Sequence, residues 1–210
     1  MIFGDPITVI LRIPALLWGI SLHEFLHAFA AKMVGDPTAE RQGRLTLNPL
    51  VHLDLFGSIM ILLVGIGWAR PVMINMRYFR NPQRDIVIVA LAGVVGNILT
   101  VVVSVLLFRY MGFRLTGGGL VLDYAGMNST AGRMLLQMIL VNVALTVLNL
   151  LPIPPLDGSK VLYAFLPFRA LGYYYSLERY GMIILIVLLV TGLIRVIFDP
   201  IFIRVIMLLM

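Results

Sequence analysis

His23, Glu24 and His27 stand together in the run His23-Glu24-Phe25-Leu26-His27. Histidines four positions apart share one face of a helix, so both imidazoles can reach a single metal ion. A glutamate beside the first can take a proton from metal-bound water. The pattern fixes only three residue identities, and its setting sharpens it. It lies in an apolar stretch, where a charge at the centre of a membrane helix costs about 2.5–3.5 kcal/mol or more. Three polar groups there require either a function or partners, and a polar seam pairing with other helices is the plainer alternative. Two histidines leave a tetrahedral zinc ion one protein ligand short, with the fourth position for water. The chain has no cysteine, which leaves His, Asp or Glu to complete such a site and excludes disulfides. The candidates are Asp157, Asp54, His52, Asp85 and Asp199. Asp157 stands out because it follows Leu151-Pro152-Ile153-Pro154-Pro155-Leu156, where three prolines interrupt regular hydrogen bonding. Irregular backbone at membrane depth occurs where it is buried in protein or lines a wet cavity. A helix N-cap at the interface explains Asp157 equally well on spacing alone.

These residues must be positioned by membrane helices. Of 210 residues, 60% are apolar and 12% charged, with a mean hydropathy of +1.00. Soluble domains run roughly 45–50% apolar and about 25% charged. The composition excludes an ordinary soluble domain, a disordered chain and a collagen-like chain. It leaves an all-α polytopic membrane protein, read as one domain over 1–210 with a core of about 7–165. The C-terminal helix and tail occupy 179–210. At ~20 residues per crossing, about four to five spanning helices fit, together with a re-entrant segment and a short membrane-associated β-strand or hairpin. The apolar runs are 7–34, 50–67, 86–108, 134–151 and 181–198, and the tail 201–210 is too short to span. The N-terminal run lacks a basic leader and a small-residue cleavage site, so it reads as a retained first helix. The net charge of +6 reads as positive-inside topology and attraction to anionic lipid headgroups, with no nucleic-acid partner.

A metal shared by the first helix and Asp157 makes a geometric demand. His23 and His27 lie toward the end of their helix, and Asp157 follows the end of 134–151. Both ends must face one side. If 50–67 crosses fully, they face opposite sides; if it dips in and returns, they meet. Re-entrance also gathers Arg41, Arg44, Arg70, Arg77, Arg80, Arg84, Lys160, Arg169 and Arg179 on one face, which the positive-inside rule makes cytoplasmic. The N-terminus is then outside and the metal nearer the cytoplasmic face. In 68–79, Val72, Ile74 and Met76 alternate with Met73, Asn75 and Arg77, which permits a short edge strand. An unwound substrate segment could add to that edge, with Ile74 among its contacts. His52 and Asp54 have no assigned role beyond an interfacial pair, and Tyr173 to Tyr175 resemble an interfacial anchor.

HEFLH in an early helix, followed by Asn149-Leu150-Leu151-Pro152-Ile153-Pro154-Pro155-Leu156-Asp157-Gly158 on a later one, resembles the site-2 protease family of intramembrane zinc metalloproteases. The likeness is to its compact prokaryotic members without PDZ or CBS domains. GDPTAERQGRLTLNPL, GWARPVMIN and FRNPQRD match the same subgroup, and the resemblance covers most of 15–165. It implies that His23, His27 and Asp157 hold one Zn²⁺ per chain, that Glu24 is the catalytic acid and base, and that Asn149 stabilises the oxyanion. Ala92-Gly93-Val94-Val95-Gly96-Asn97 is similar to the family's A-G-P-x-x-N segment with Val94 in place of the proline. Asn97 would contact the substrate backbone, while the glycines allow close helix packing. The implied activity is hydrolysis of peptide bonds in transmembrane protein substrates by a multi-pass protein of the cell (inner) membrane. Its surroundings are membrane lipids, and a homo-oligomer or a regulatory membrane partner is compatible with the pattern. A metal transporter and a catalytically inactive membrane scaffold are the rival classes. A transporter would need polar residues at successive depths, whereas this chain concentrates them at one.

Overall fold

The structure, a computed structural model, describes residues 6–54, 57, 69–113, 115–116, 123–124 and 129–209. Three helices are long and apolar enough to cross a membrane: α1 (Pro6–Met33), α4 (Pro82–Tyr110) and α5 (Thr130–Leu150). Between the first two lie the short helices α2 (Thr38–Arg41) and α3 (Pro49–His52). After α5 come α6 (Asp157–Phe165), α7 (Leu171–Val190) and α8 (Leu193–Leu209). The two long starts are set by local chemistry. Asn81 caps α4 by accepting from the Arg84 N–H, with Pro82 in the first turn where its missing N–H costs nothing. Asp85, buried, accepts the Asn81 N–H at 2.9 Å and pairs with the Arg84 guanidinium at 2.8 Å. Ser129 caps α5 by accepting from Gly132.

α1, α4 and α5 pack against one another, and α6 lies across α4. Glycine lets α1 and α4 approach closely, since a Cβ at Gly93 would stand 2.7 Å from the His23 ring. In α8, Phe198, Phe202, Val205 and Ile206 pack on a cluster containing Val101 and Phe108 of α4 and Leu136, Ile139 and Val143 of α5. The C-terminal tail therefore packs against the bundle. The apolar run 181–198 is not one straight span. Gly192 adopts φ +73°, just past the end of α7, and α7 and α8 meet at a bend of 79°. A left-handed glycine is a common helix stop. Counting that bent pair as one span, the described residues give three to four crossings of an all-α, multi-pass membrane protein.

Most of 50–67 lies outside the described residues, so its re-entrance is not described directly. Its flanks are close, however. Leu53 and Ala69 form an antiparallel bridge, and the Arg70 N–H donates to the His52 carbonyl at 2.8 Å. The chain thus leaves and returns at one place. The edge strand expected in 68–79 is not found among the described residues. Beyond the single bridge at Ala69 the described backbone has no regular secondary structure, and Met76–Tyr78 closes it with a 3-10 turn. Its N–H groups bond side chains instead: Val72 to Glu24 at 3.0 Å and Asn75 to Asp36 at 2.7 Å. Residue pairs 115–116 and 123–124 pair briefly elsewhere. The interfacial reading of Tyr174 also changes, because its ring is buried. Its hydroxyl lies 3.5 Å from that of Ser159 on α6.

Gly158 and Gly96 make opposite demands on packing. A Cβ at Gly158 would meet the backbone carbonyl oxygens of Leu150 and Leu151, which cannot yield without moving the chain. At Gly96 it would meet the flexible end of Leu26. Gly158→Ala is expected to lower thermal stability in detergent by about 1–3 kcal/mol, the usual overpacking cost, and Gly96→Ala by clearly less. Equal losses in paired unfolding curves would contradict this account.

Candidate metal centre

The site is assembled from one face of α1 and the start of α6. His23 and His27, one helical turn apart, are both buried, as is Asp157 at the first position of α6. The proline loop delivers Asp157. Leu156 N–H closes a turn on the Ile153 carbonyl at 2.9 Å, and Ser159 returns to the Leu156 carbonyl through its N–H and hydroxyl. Gly181 of α7 seats this loop, since a Cβ there would stand 2.6 Å from the Pro154 oxygen. The structure thus brings together the three residues that the resemblance named. His23 Nε2 and His27 Nε2 are 2.8 Å apart, and Asp157 Oδ2 lies 2.9 and 3.0 Å from them. Among the described residues this is the group of three His or carboxylate side chains arranged to hold a metal ion.

The donor set fits a cation. His27 Nδ1 faces the Val89 carbonyl at 2.7 Å, and that oxygen only accepts, so Nδ1 carries the proton. His23 Nδ1 donates likewise to Asn97 Oδ1 at 2.7 Å. Both Nε2 atoms then present lone pairs to each other and to a carboxylate oxygen. An ion of the Zn²⁺ class fits three such converging lone pairs. Zinc bonds of ~2.0–2.2 Å place tetrahedral ligands about 3.3–3.5 Å apart, so the three atoms need open by only a few tenths of an ångström. Lys160 Nζ donates to the other aspartate oxygen, Oδ1, at 2.9 Å. That leaves Oδ2 alone to face the histidines. Burial disfavours the Lys160 charge, but the Asp157 carboxylate outweighs it and holds the ammonium above its ordinary value.

Glu24 is half-buried on the same helix and accepts the Val72 N–H at 3.0 Å through Oε2. Asn149 bonds its own helix, donating Nδ2–H to the Leu145 carbonyl at 3.0 Å, which leaves its oxygen and one N–H for other use. Asn97 is fully buried behind His23, and Ile74 packs on a cluster with Ala30, Ala31 and Phe79. Of the other carboxylate and histidine candidates, Asp85 accepts the Asn81 N–H in the first turn of α4, His52 Nε2 donates to the Thr46 carbonyl at 2.8 Å, and Asp54 accepts the Gly57 N–H at 2.8 Å. Asp199 lies in α8. Sequence reasoning missed Lys160 as a partner of Asp157. The signal was present, because Lys160 lies one turn beyond an aspartate that starts a helix.

A membrane-helix bundle that buries two histidines and an aspartate around converging lone pairs, with a glutamate adjoining the first histidine, defines a multi-pass membrane metallopeptidase. The model of "Peptidase family M50" matches residues 121–192. YwhC of Bacillus subtilis (strain 168), named as a zinc metalloprotease, is 40% identical over 185 residues, covering 85% of this chain and 79% of that protein. Rip2 of Mycolicibacterium smegmatis (strain ATCC 700084 / mc(2)155), also named as a zinc metalloprotease, is 34% identical over 188 residues, covering 87% of this chain and 67% of its own length. No solved structure matches. The chain belongs to peptidase family M50, the site-2 protease family, and is a zinc metalloprotease acting on a peptide or protein substrate.

Asp157→Ala is expected to strip zinc from the purified protein. Lys160→Met, which keeps the stem and removes the ammonium, should weaken zinc binding about 10-fold, as loss of an outer-shell partner typically does. Elemental analysis and competition with a chelator measure both, and wild-type affinity in either variant would contradict the assignment.

Proposed function

We propose that this metalloprotease hydrolyses peptide bonds within membrane-spanning helices of other proteins, using one zinc ion held by His23, His27 and Asp157. The observation that carries the reading is the depth of the donor cluster. His23 and His27 lie in a helix of 28 residues, ten and six positions before its end at Met33. At 1.5 Å per residue they are about 9–15 Å inside the helix terminus. A cluster at that depth serves a substrate that is itself in the bilayer.

When bound, zinc supplies a Lewis acid that makes water nucleophilic near neutral pH and polarises the scissile carbonyl. Glu24 does the proton work. Its Oε2 is held by the Val72 N–H, so Oε1 is available to accept the proton of the attacking water and then deliver it to the leaving amine. The remaining N–H of Asn149 stabilises the oxyanion, where a donor aimed at the developing charge contributes about 3–4 kcal/mol. Lys160 keeps Asp157 bound through one oxygen. The whole chain, 1–210, acts as one catalytic domain.

Orientation follows from charge. The α1 end that bears the histidines leads into Arg41 and Arg44, and the same side carries Arg70, Arg77, Arg80 and Arg84. The positive-inside rule makes that side cytoplasmic in a cell (inner) membrane and places the site nearer the cytoplasmic face. Lys160, about a third exposed, marks a polar approach for water.

Glu24→Gln is expected to keep zinc and lower cleavage of a membrane-embedded model substrate by about 10²–10⁴-fold, the usual weight of general acid–base catalysis. Zinc loss in this variant would make Glu24 a ligand and overturn the roles. Cleavage of soluble peptides with no cleavage of membrane-embedded helices in liposomes would overturn the substrate class.

A further inference from the structure

His23 is backed by a chain of two buried amides whose direction is fixed at its far end. Asn142 of α5 donates Nδ2–H to the Met138 carbonyl at 2.8 Å. A main-chain carbonyl only accepts, so the amide nitrogen must face it and Oδ1 must turn outward. Asn97 of α4 donates to that oxygen at 2.8 Å and to the Gly19 carbonyl of α1 at 3.1 Å. With both N–H groups engaged, Asn97 can offer only its Oδ1 to His23, 2.7 Å from Nδ1. Reversing either amide would set donor against donor and acceptor against acceptor. Both asparagines are 0% exposed, where an unpaired polar group is costly. Gly19 makes the junction sterically possible, since a Cβ there would stand 2.9 Å from Asn142 Oδ1.

We propose that Asn142 is a positioning residue for the metal ligand His23. Together with the Gly19 carbonyl it orients the Asn97 amide, whose Oδ1 then holds the proton on Nδ1 of the imidazole and leaves the Nε2 lone pair for the ion. It touches neither metal nor substrate. This rests on the reading of His23 as a zinc ligand.

Two substitutions separate this role from plain packing. Asn142→Leu keeps the branched shape and the number of side-chain heavy atoms and removes the acceptor for Asn97. Asn142→Asp keeps that acceptor whether ionised or neutral, and its neutral form can also donate to the Met138 carbonyl. Zinc affinity, measured by chelator competition in detergent at fixed pH, is expected to fall 10–100-fold in Asn142→Leu, the range typical of outer-shell loss. Asn142→Asp should stay within about threefold of wild type by the same outer-shell scale. A purely structural role predicts the reverse order, because a carboxyl group among apolar helices is tolerated less well than leucine. Thermal unfolding of the zinc-free proteins reports that structural order, and the visible spectrum of the cobalt-loaded proteins reports the ligand field. If Asn142→Leu fails to fold, Asn142→Ser replaces it: its short hydroxyl bonds back to Met138 without reaching Asn97, and the same affinity loss is expected. His23→Ala is the control. Zinc retained at wild-type affinity in His23→Ala overturns the metal-centre reading itself. Zinc lost in His23→Ala but retained in Asn142→Leu or Asn142→Ser, or lost equally in Asn142→Asp, overturns the role of Asn142.

Discussion

Two imidazole lone pairs and a carboxylate oxygen converge within 3.0 Å inside a bundle of apolar helices. Like partial charges that close, in a low-dielectric interior, repel strongly unless a cation sits among them. The bundle is arranged to impose that convergence. Val89 and Asn97 each engage the far nitrogen of one histidine, so neither ring can rotate or change tautomer without losing a buried hydrogen bond. Lys160 holds the second aspartate oxygen outside the cluster. The donor geometry is therefore held by acceptors and a cation that stand outside the cluster.

The same logic governs other polar groups in the spans. Without water, polar groups there are stabilised by partners within protein, and the buried Thr146 hydroxyl, which has none, is the exception among the described residues of the spans. Arg12 donates to Gln137 at 3.3 Å between α1 and α5, and Trp18 to Thr100 at 3.2 Å between α1 and α4. Close approach at Gly19, Gly93 and Gly96 makes these bonds reachable, because van der Waals packing and hydrogen bonding replace the hydrophobic effect as the force between helices in lipid. Glu24 differs from the histidines. It is held by the backbone of the non-helical segment after Ala69, so the geometry of its carboxylate depends on that stretch.

Much of the site could be read from residue types. The spacing of HEFLH put both histidines on one face, and the prolines before Asp157 marked irregular backbone at a helix end. Asp157 alone among several acidic candidates joined them. Spacing could not select it, because Asp85 and Asp157 each lie in the first turn of a helix and only the packing of α6 against α4 distinguishes them. Asn97 shows the limit most clearly. A family likeness suggested a substrate contact, whereas its side chain lies behind His23 with every polar atom engaged. The strand expected at 68–79 failed for a related reason. Alternation registers that a backbone is extended, but its N–H groups bond the carboxylates of Glu24 and Asp36, which no local pattern reveals.

By itself the sequence determined that this is a helical membrane protein and that two histidines with an adjoining glutamate share one stretch of its first helix. Those properties depend on composition and period, which act over a few residues. Only the tertiary structure shows that Asp157 meets the two histidines, which nitrogen of each imidazole faces it, and where an apparent last span breaks against the bundle. Each of these is set by contacts between residues tens of positions apart, and hydrogen-bond direction at such contacts exists only once the helices have packed.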